Sequence, residues 1–281
     1  MYNITDISNW TDDYSLQVSG TREKYWLKPD TGEDKRYLFK VPKVSNGEIW
    51  AEKVSSELGK ELHLKMMHVE FAEQKERKGV ILENFISNTE VMADGGEILS
   101  SILDEFNPWS LEQYSIENII TSLQPYNLEK DFIALCFFDS LIANQDRHCE
   151  NWAIVLGHGS PVFSPIYDNG ASLGFNAGHQ KLEKLIKDER MFKGFTNRSK
   201  TLIEVEGKKK PKVLELLNYL NVHYPSYTKD EISRIESMDP ARLRDILNNV
   251  PVEVMSDLEK EWVVKLVTYR KHWMVEWYEG G

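Results

Sequence analysis

The first third of the chain reads as strands and the remainder mainly as helices. Glu23-Lys24-Tyr25-Trp26-Leu27-Lys28 is aromatic-rich, and Arg36-Tyr37-Leu38-Phe39-Lys40-Val41 is a second β-type run stopped by Pro42. Between them, Pro29-Asp30-Thr31-Gly32-Glu33-Asp34 supplies the residues of a turn, so the two runs predict a hairpin. Ile49, Val54, Leu58 and Leu62 keep one apolar face along residues 48–62, with Asn46 as a cap, and predict a helix. Residues 65–72 and 79–85 read as two more strands, split by a charged turn.

Residues 128–144 are strongly apolar at near-helical spacing. Two short strand-like runs follow, at 152–156 and 162–166, and then helices at 211–221, 228–236, 240–248 and 256–278. The last carries Trp262, Leu266, Tyr269, Trp273 and Trp277, a stripe read as core packing. Composition shifts near residues 86–100, and 87–96, with its Gly-Gly pair, reads as a linker between two parts, 1–90 and 91–281.

The chain has 281 residues, 41% of them apolar, enough for a sizeable core. Its 34 basic and 45 acidic residues give a formal net charge of −11, which excludes a general attraction for nucleic acid or anionic lipid. A local basic pocket for a small anion such as ATP is compatible with that balance. Cys136 and Cys149 stand in no CxxC pair, so neither a zinc site nor a disulfide framework is expected. No apolar run reaches the roughly 18 residues of a membrane span, and residues 1–10 do not resemble a signal peptide, so the expected localisation is cytoplasmic, with no membrane partner.

The strongest chemical signal is Asn144-Gln145-Asp146-Arg147-His148-Cys149-Glu150-Asn151, in a loop after an apolar helix. Phosphoryl transfer needs a carboxylate to orient the attacking hydroxyl and accept its proton. It also needs an amide oxygen to hold Mg²⁺ between phosphates, and Asp146 and Asn151 stand at that D-x-x-x-x-N spacing. Asp168 ends a short apolar strand before Asn169-Gly170, where a second Mg²⁺-binding carboxylate would sit. The intervening segment suits a hairpin that returns Asp168 to Asn151. Lys40, at a strand end, is the candidate cation for the α/β-phosphates, and Glu48 or Glu52, one turn apart on the following helix, could keep it in place. Ser19-Gly20-Thr21 precedes the hairpin and could close over the phosphates through backbone N–H groups, although there is no Gly-rich fingerprint and no Walker sequence. The Lys208-Lys209-Lys210 run reads as a solvated loop, with a docking patch for an acidic partner as the sharper alternative.

In this order the chain resembles the HipA-like serine/threonine kinases. The resemblance is carried by Phe39-Lys40-Val41-Pro42, by Glu48 followed by Ser56-Glu57-Leu58-Gly59, by Asn144-x-Asp146-Arg147-His148-x-x-Asn151 and by Pro165-Ile166-Tyr167-Asp168. It implies an α+β, bilobal protein-kinase-like fold with a small β-rich N-lobe holding one main helix and a larger α-helical C-lobe. It implies ATP and Mg²⁺ as cosubstrate and cofactor, Asp146 as catalytic base, Asn151 and Asp168 as Mg²⁺ ligands, Lys40 as the ATP lysine and Glu48 as its better-matched partner. Leu82-Glu83-Asn84-Phe85 looks like the hinge that takes adenine through backbone groups, with Glu83 and Phe85 as its contacts. Partners implied are a protein substrate carrying a Ser/Thr hydroxyl and an antitoxin or other regulatory protein. Ser15, Ser19 and Thr21 are autophosphorylation candidates by location. Only about 18 residues precede Ser19, so the chain looks like a short, stand-alone member. Two other readings remain at this level. One is a small-molecule or lipid kinase. The other is a nucleotide-binding pseudokinase, against which stands the complete set Lys40, Asp146, Asn151 and Asp168.

Overall fold

The computed structural model describes residues 1–15, 23–32, 35–42, 47–157 and 159–280. The predicted hairpin forms from β3 (Lys24–Lys28) and β4 (Tyr37–Lys40), in antiparallel register Leu27↔Tyr37 and Lys24↔Lys40. Gly32, in the connecting turn, takes φ +74°, a conformation that suits a residue without Cβ. β5 (Val69–Gln74) and β6 (Arg77–Glu83) are the other two predicted strands. Two short strands that the hydrophobic pattern did not announce, β1 (Ile4–Asp6) and β2 (Thr11–Asp12), complete a six-stranded sheet of order β1-β5-β6-β4-β3-β2.

Alternation sorts this sheet's two faces. Leu27, Phe39, Ala72 and Ile81 join Ile7 in a small core on one face. Val69, Phe71, Val80 and Leu82 turn to the main core with α1 (Gly47–Glu61). Lys40 is paired with Val80, and cross-strand partners share a face, so the register sends Lys40 toward α1. α1 packs against β5, β6 and α9 (Pro240–Asn248), and eleven of its fifteen residues are buried, Glu52 and Lys53 included. Lys53 is satisfied there by Val69 O at 2.7 Å, Glu57 at 3.1 Å and Glu70 at 3.2 Å.

A second sheet of order β7-β8-β9 follows, from β7 (Val91–Asp94), β8 (Ala153–Leu156) and β9 (Val162–Phe163). The reading of 87–96 as linker is corrected here. Residues 91–94 are strand, and Gly95-Gly96 opens α2 (Gly95–Ser100) behind an Asp94–Glu97 capping box. These glycines serve packing rather than freedom: a Cβ on Gly95 would stand 2.2 Å from the Trp152 ring. α3 (Ile116–Leu123) leads to the buried α4 (Glu129–Ile142), on which α3, α7 (Val213–His223), α8 (Pro225–Glu236) and α10 (Asp257–Gly280) pack, while α5 (His179–Lys187) and α9 pack on α10 and α6 (Glu189–Thr196) packs on α5. Trp262 and Leu266 of the aromatic stripe are buried, while Trp273 and Trp277 pack at the core's edge. The fold is α+β, a curled sheet in the N-terminal part and helices in the C-terminal part. Among the described residues, no helix is long and apolar enough to cross a membrane.

Candidate active site

α4 ends at Ala143, which takes a left-handed conformation at φ +55°. The Asn144 side chain then accepts from the Asp146 N–H at 3.1 Å, a turn that throws Asp146 out of the helix axis and into a cleft of about 420 Å³. Asn151 closes the loop by donating its amide to Asp146 O at 3.0 Å, which leaves the amide oxygen as the acceptor available to a cation. β8 and β9 pair antiparallel, Ile154↔Phe163, and carry the chain back as the spacing required. Ile166 is stitched to the strand segment before β5: its N–H donates to Lys65 O at 2.8 Å and its carbonyl accepts from Met67 N at 2.9 Å. Asp168 follows at φ +57°, a left-handed position that aspartate tolerates better than most residues.

Lys40 Nζ lies 3.0 Å from Asp168 Oδ1 and 3.6 Å from Glu52 Oε2, with only 13% of its side chain exposed. The carboxylate set against Lys40 is therefore Glu52, which corrects the preference for Glu48. Glu48 sits in the first turn of α1 and lines a small hollow with Lys40, Val41, Pro42 and Glu52, while the 3.6 Å ion pair of Lys40 on α1 is to Glu52. One turn further on, Glu52 lies on the helix face that meets the Asp168 loop. There Glu52 also accepts from the N–H groups of Asn169 at 2.9 Å and Gly170 at 3.1 Å, so one carboxylate holds both the lysine and the turn after Asp168.

Arg147, which follows Asp146 in the motif, joins the two loops. Its Nε and Nη2 grip Asp139 of α4 at 2.8 Å each, Nη2 also reaches Asn169 Oδ1 at 2.8 Å, and Nη1 donates to both Asn151 O and Tyr167 O at 2.7 Å. Burial pulls its pKa down, but the adjacent Asp139 outweighs this and the net shift is upward, so the cation is firmly held. Asp139 was missed in the sequence; its signal is a lone carboxylate inside the apolar run Phe137-Phe138-Asp139-Ser140-Leu141. Tyr167 donates to Glu150 O at 2.9 Å and faces Phe85, ring centroids 6.3 Å apart; burial, then Asp94, raises its phenol pKa.

At the sheet end of the cleft stand Trp26, Leu38, Met67 and Leu82, an apolar slot beside Glu83, Asn84 and Phe85. Glu83 N–H donates to His68 O at 3.3 Å and Asn84 N–H to Arg36 O at 2.8 Å, whereas among the described residues none accepts from the Phe85 N–H. Ser19, Gly20 and Thr21 lie outside the described residues. Ser15 is exposed and donates to Asp13. Cys136 and Cys149 are free and buried. Lys208 and Lys209 are exposed and pair with Glu215 and Glu112.

Among the described residues, no cluster of three His, Cys, Asp or Glu side chains could hold a metal. The donors present, the Asn151 amide oxygen and the Asp168 carboxylate, are hard oxygen ligands. They suit a cation such as Mg²⁺ that takes its remaining ligands from water and substrate phosphates.

The chain is similar to the serine/threonine-protein kinase CtkA of Helicobacter pylori (strain J99), 20% identical over 266 residues, which cover 90% of this chain and 76% of that protein. The crystal structure of the H. pylori proinflammatory kinase CtkA superposes with a TM-score of 0.82 at 19% identity, covering 99% of this chain and 98% of that one. HipA from the Shewanella oneidensis toxin–antitoxin complex with HipB and operator DNA matches at a TM-score of 0.57 and 14% identity, over 94% of this chain but 65% of its own. The family profile of the HipA-like C-terminal domain matches residues 16–236, and the chain belongs to that family.

Proposed function

We propose that this protein is an ATP- and Mg²⁺-dependent serine/threonine protein kinase, with residues 1–90 as the ATP-binding lobe and 91–281 as the catalytic lobe. The observation that carries the reading is the convergence of Lys40, Glu52 and Asp168 at ion-pair distances in a cleft also lined by Asp146 and Asn151. In this reading Glu83 and Phe85 take adenine through their backbones, and the apolar slot holds its faces. Lys40 neutralises the α/β-phosphates and Glu52 fixes its position. Ser19, Gly20 and Thr21 belong to the proposed phosphate loop. Mg²⁺, when bound by Asn151 and Asp168, supplies charge neutralisation for the transferring phosphoryl group.

Asp146 orients the acceptor hydroxyl and takes its proton. The hydroxyl oxygen forms a bond to the γ-phosphorus, the bond to the β–γ bridging oxygen breaks, and ADP leaves with that electron pair. Arg147, bonded to Asn151 O and to Tyr167 O and Asn169 on either side of Asp168, ties the two loops together. The proposed partners are a protein carrying the hydroxyl and a regulatory protein, by analogy with the HipB complex of the Shewanella relative.

The test is incubation with labelled ATP and Mg²⁺, wild type beside Asp146→Asn, with the protein alone and with protein, aminoglycoside and inositol acceptors. Phosphate on a protein hydroxyl with wild type only is the expected result, with transfer reduced at least 10²-fold in the variant. Equal transfer by both proteins overturns the assignment of Asp146. Phosphate on a small molecule alone makes the chain a small-molecule kinase. ATP binding without any transfer makes it a pseudokinase.

A further inference from the structure

The cleft is lined by two chemically unlike sets of residues. The strands β3 and β4 supply Lys24 and Lys40, the latter paired with Asp168 and Glu52, whereas β7 and the loop after α4 supply the carboxylates Asp94, Asp146 and Glu150. Asp94 caps α2, and Glu150 lies 4.0 Å from His148. Among the described residues, no Lys or Arg stands within ion-pair distance of either. A triphosphate is drawn to the lysines and repelled from these carboxylates.

Trp109 lines the cleft with these carboxylates, yet the residue is 78% exposed, alongside the partly exposed Met92. A large aromatic left in water beside a catalytic carboxylate differs from a scattered surface apolar residue. Its loop is also pinned. Phe106 is buried, Cys149 Sγ lies 4.0 Å from Pro108 O, and Asn107 Oδ1 accepts from Trp109 N–H at 2.9 Å. Past the loop, Tyr114 donates its hydroxyl to Arg147 O at 3.1 Å and accepts from Trp152 Nε1 at 3.0 Å. The indole is thus carried by the same framework that positions Asp146.

We infer that Trp109, Asp94 and Glu150 form the docking surface for the acceptor: a protein segment that flanks its Ser/Thr hydroxyl with an apolar side chain and a Lys or Arg. This rests on the phosphotransfer reading. Trp109 supplies the apolar contact, the two carboxylates select the cation, and the two lysines are left to the nucleotide. The surface sets specificity, and Trp109 touches the acceptor segment rather than the reacting atoms.

Binding tests it without requiring turnover. Two fluorescein-labelled ten-residue peptides with a central Ser, one flanked by Arg and Leu and one by Glu and Leu, are titrated by anisotropy against the full chain with MgADP. Wild type, Trp109→Ala and Glu150→Lys are compared, and MgADP affinity is measured for each. The expected result is Arg–Leu binding about tenfold tighter than Glu–Leu, lost by about tenfold in Trp109→Ala with MgADP affinity unchanged there, and a charge preference abolished in Glu150→Lys, where Asp94 is left facing the new cation. No binding of either peptide, equal binding of both, or wild-type binding by Trp109→Ala overturns the surface. A loss of MgADP affinity in Trp109→Ala also overturns it, by giving the indole to the nucleotide. Rim-dependent peptide binding without phosphate transfer would instead overturn the kinase reading and leave the surface standing.

Discussion

Arg147 shows how much one side chain can decide. It satisfies a buried carboxylate on α4 and ties the carbonyls before and after the β8–β9 hairpin to one nitrogen. Removing one partner of such a buried pair leaves a charge without compensation, at about 3–5 kcal/mol. Arg147→Met is accordingly expected to lower urea-unfolding stability by about that amount. Arg147→Met combined with Asp139→Leu should recover much of the stability, because the orphan charge is gone. The double variant should still transfer phosphate poorly, because nothing then bridges Asn151 and Tyr167. Recovery of full activity in it would show that Arg147 serves folding alone. The motif string singled out Asp146 and Asn151 because short-range spacing carries them, and both line one cleft with Asp168. Asp139 stayed hidden, since its role depends on a guanidinium eight residues on and folded back upon it.

At the scale of elements, the longer strands and helices were visible to within a few residues, as in α9, expected at 240–248 and found as Pro240–Asn248, while the short helices α2, α3, α5 and α6 went unread. β1, β2 and β7 were not visible, because strands of two to four residues carry too few positions to show a period. Gly95-Gly96 misled for a related reason: the sequence cannot show what touches a glycine. Gly95→Ala would press a methyl into Trp152 and Cys149 O and is expected to cost about 1–3 kcal/mol. Gly194 lies within α6 with nothing near its Cβ position, so Gly194→Ala should gain about 0.5–1 kcal/mol from helix propensity. Denaturant unfolding of the two variants checks the pair. Equal effects would mean that Gly95 is not packed against Trp152 in solution.

At the scale of the whole molecule, burial leaves a pH signature. Burial raises the Tyr114 and Tyr167 phenols and the Cys136 thiol, and it is the main cause that pushes Cys149 up to about 12. In each case the folded state keeps a proton that the unfolded chain releases. Their contribution is therefore full below the ordinary thiol and phenol values of 9.0 and 10.0, and is lost as pH rises toward the folded values. Arg270 works in the opposite direction. Burial lowers it to about 10, so between there and 12.5 it favours folding as pH rises and offsets part of the loss. Urea midpoints should be level near neutrality and fall from about pH 9 upward. The fall should be smaller in Tyr114→Phe and Tyr167→Phe, and an unchanged fall in both would assign it to other groups.

Some properties were determined by the sequence alone because they depend on neighbours a few residues apart. These are the hairpin, the long helices, the α+β class and the Asp146–Asn151 spacing. The tertiary structure decided what depends on which face of one element meets another. It chose Glu52 over Glu48, since a helical turn separates them and only Glu52 meets the Asp168 loop. It also brought Asp94, Trp109 and Glu150 into one cleft with Lys24 and Lys40. No local pattern encodes that meeting, because these residues come from a strand, a loop and a turn that only the packed core holds together.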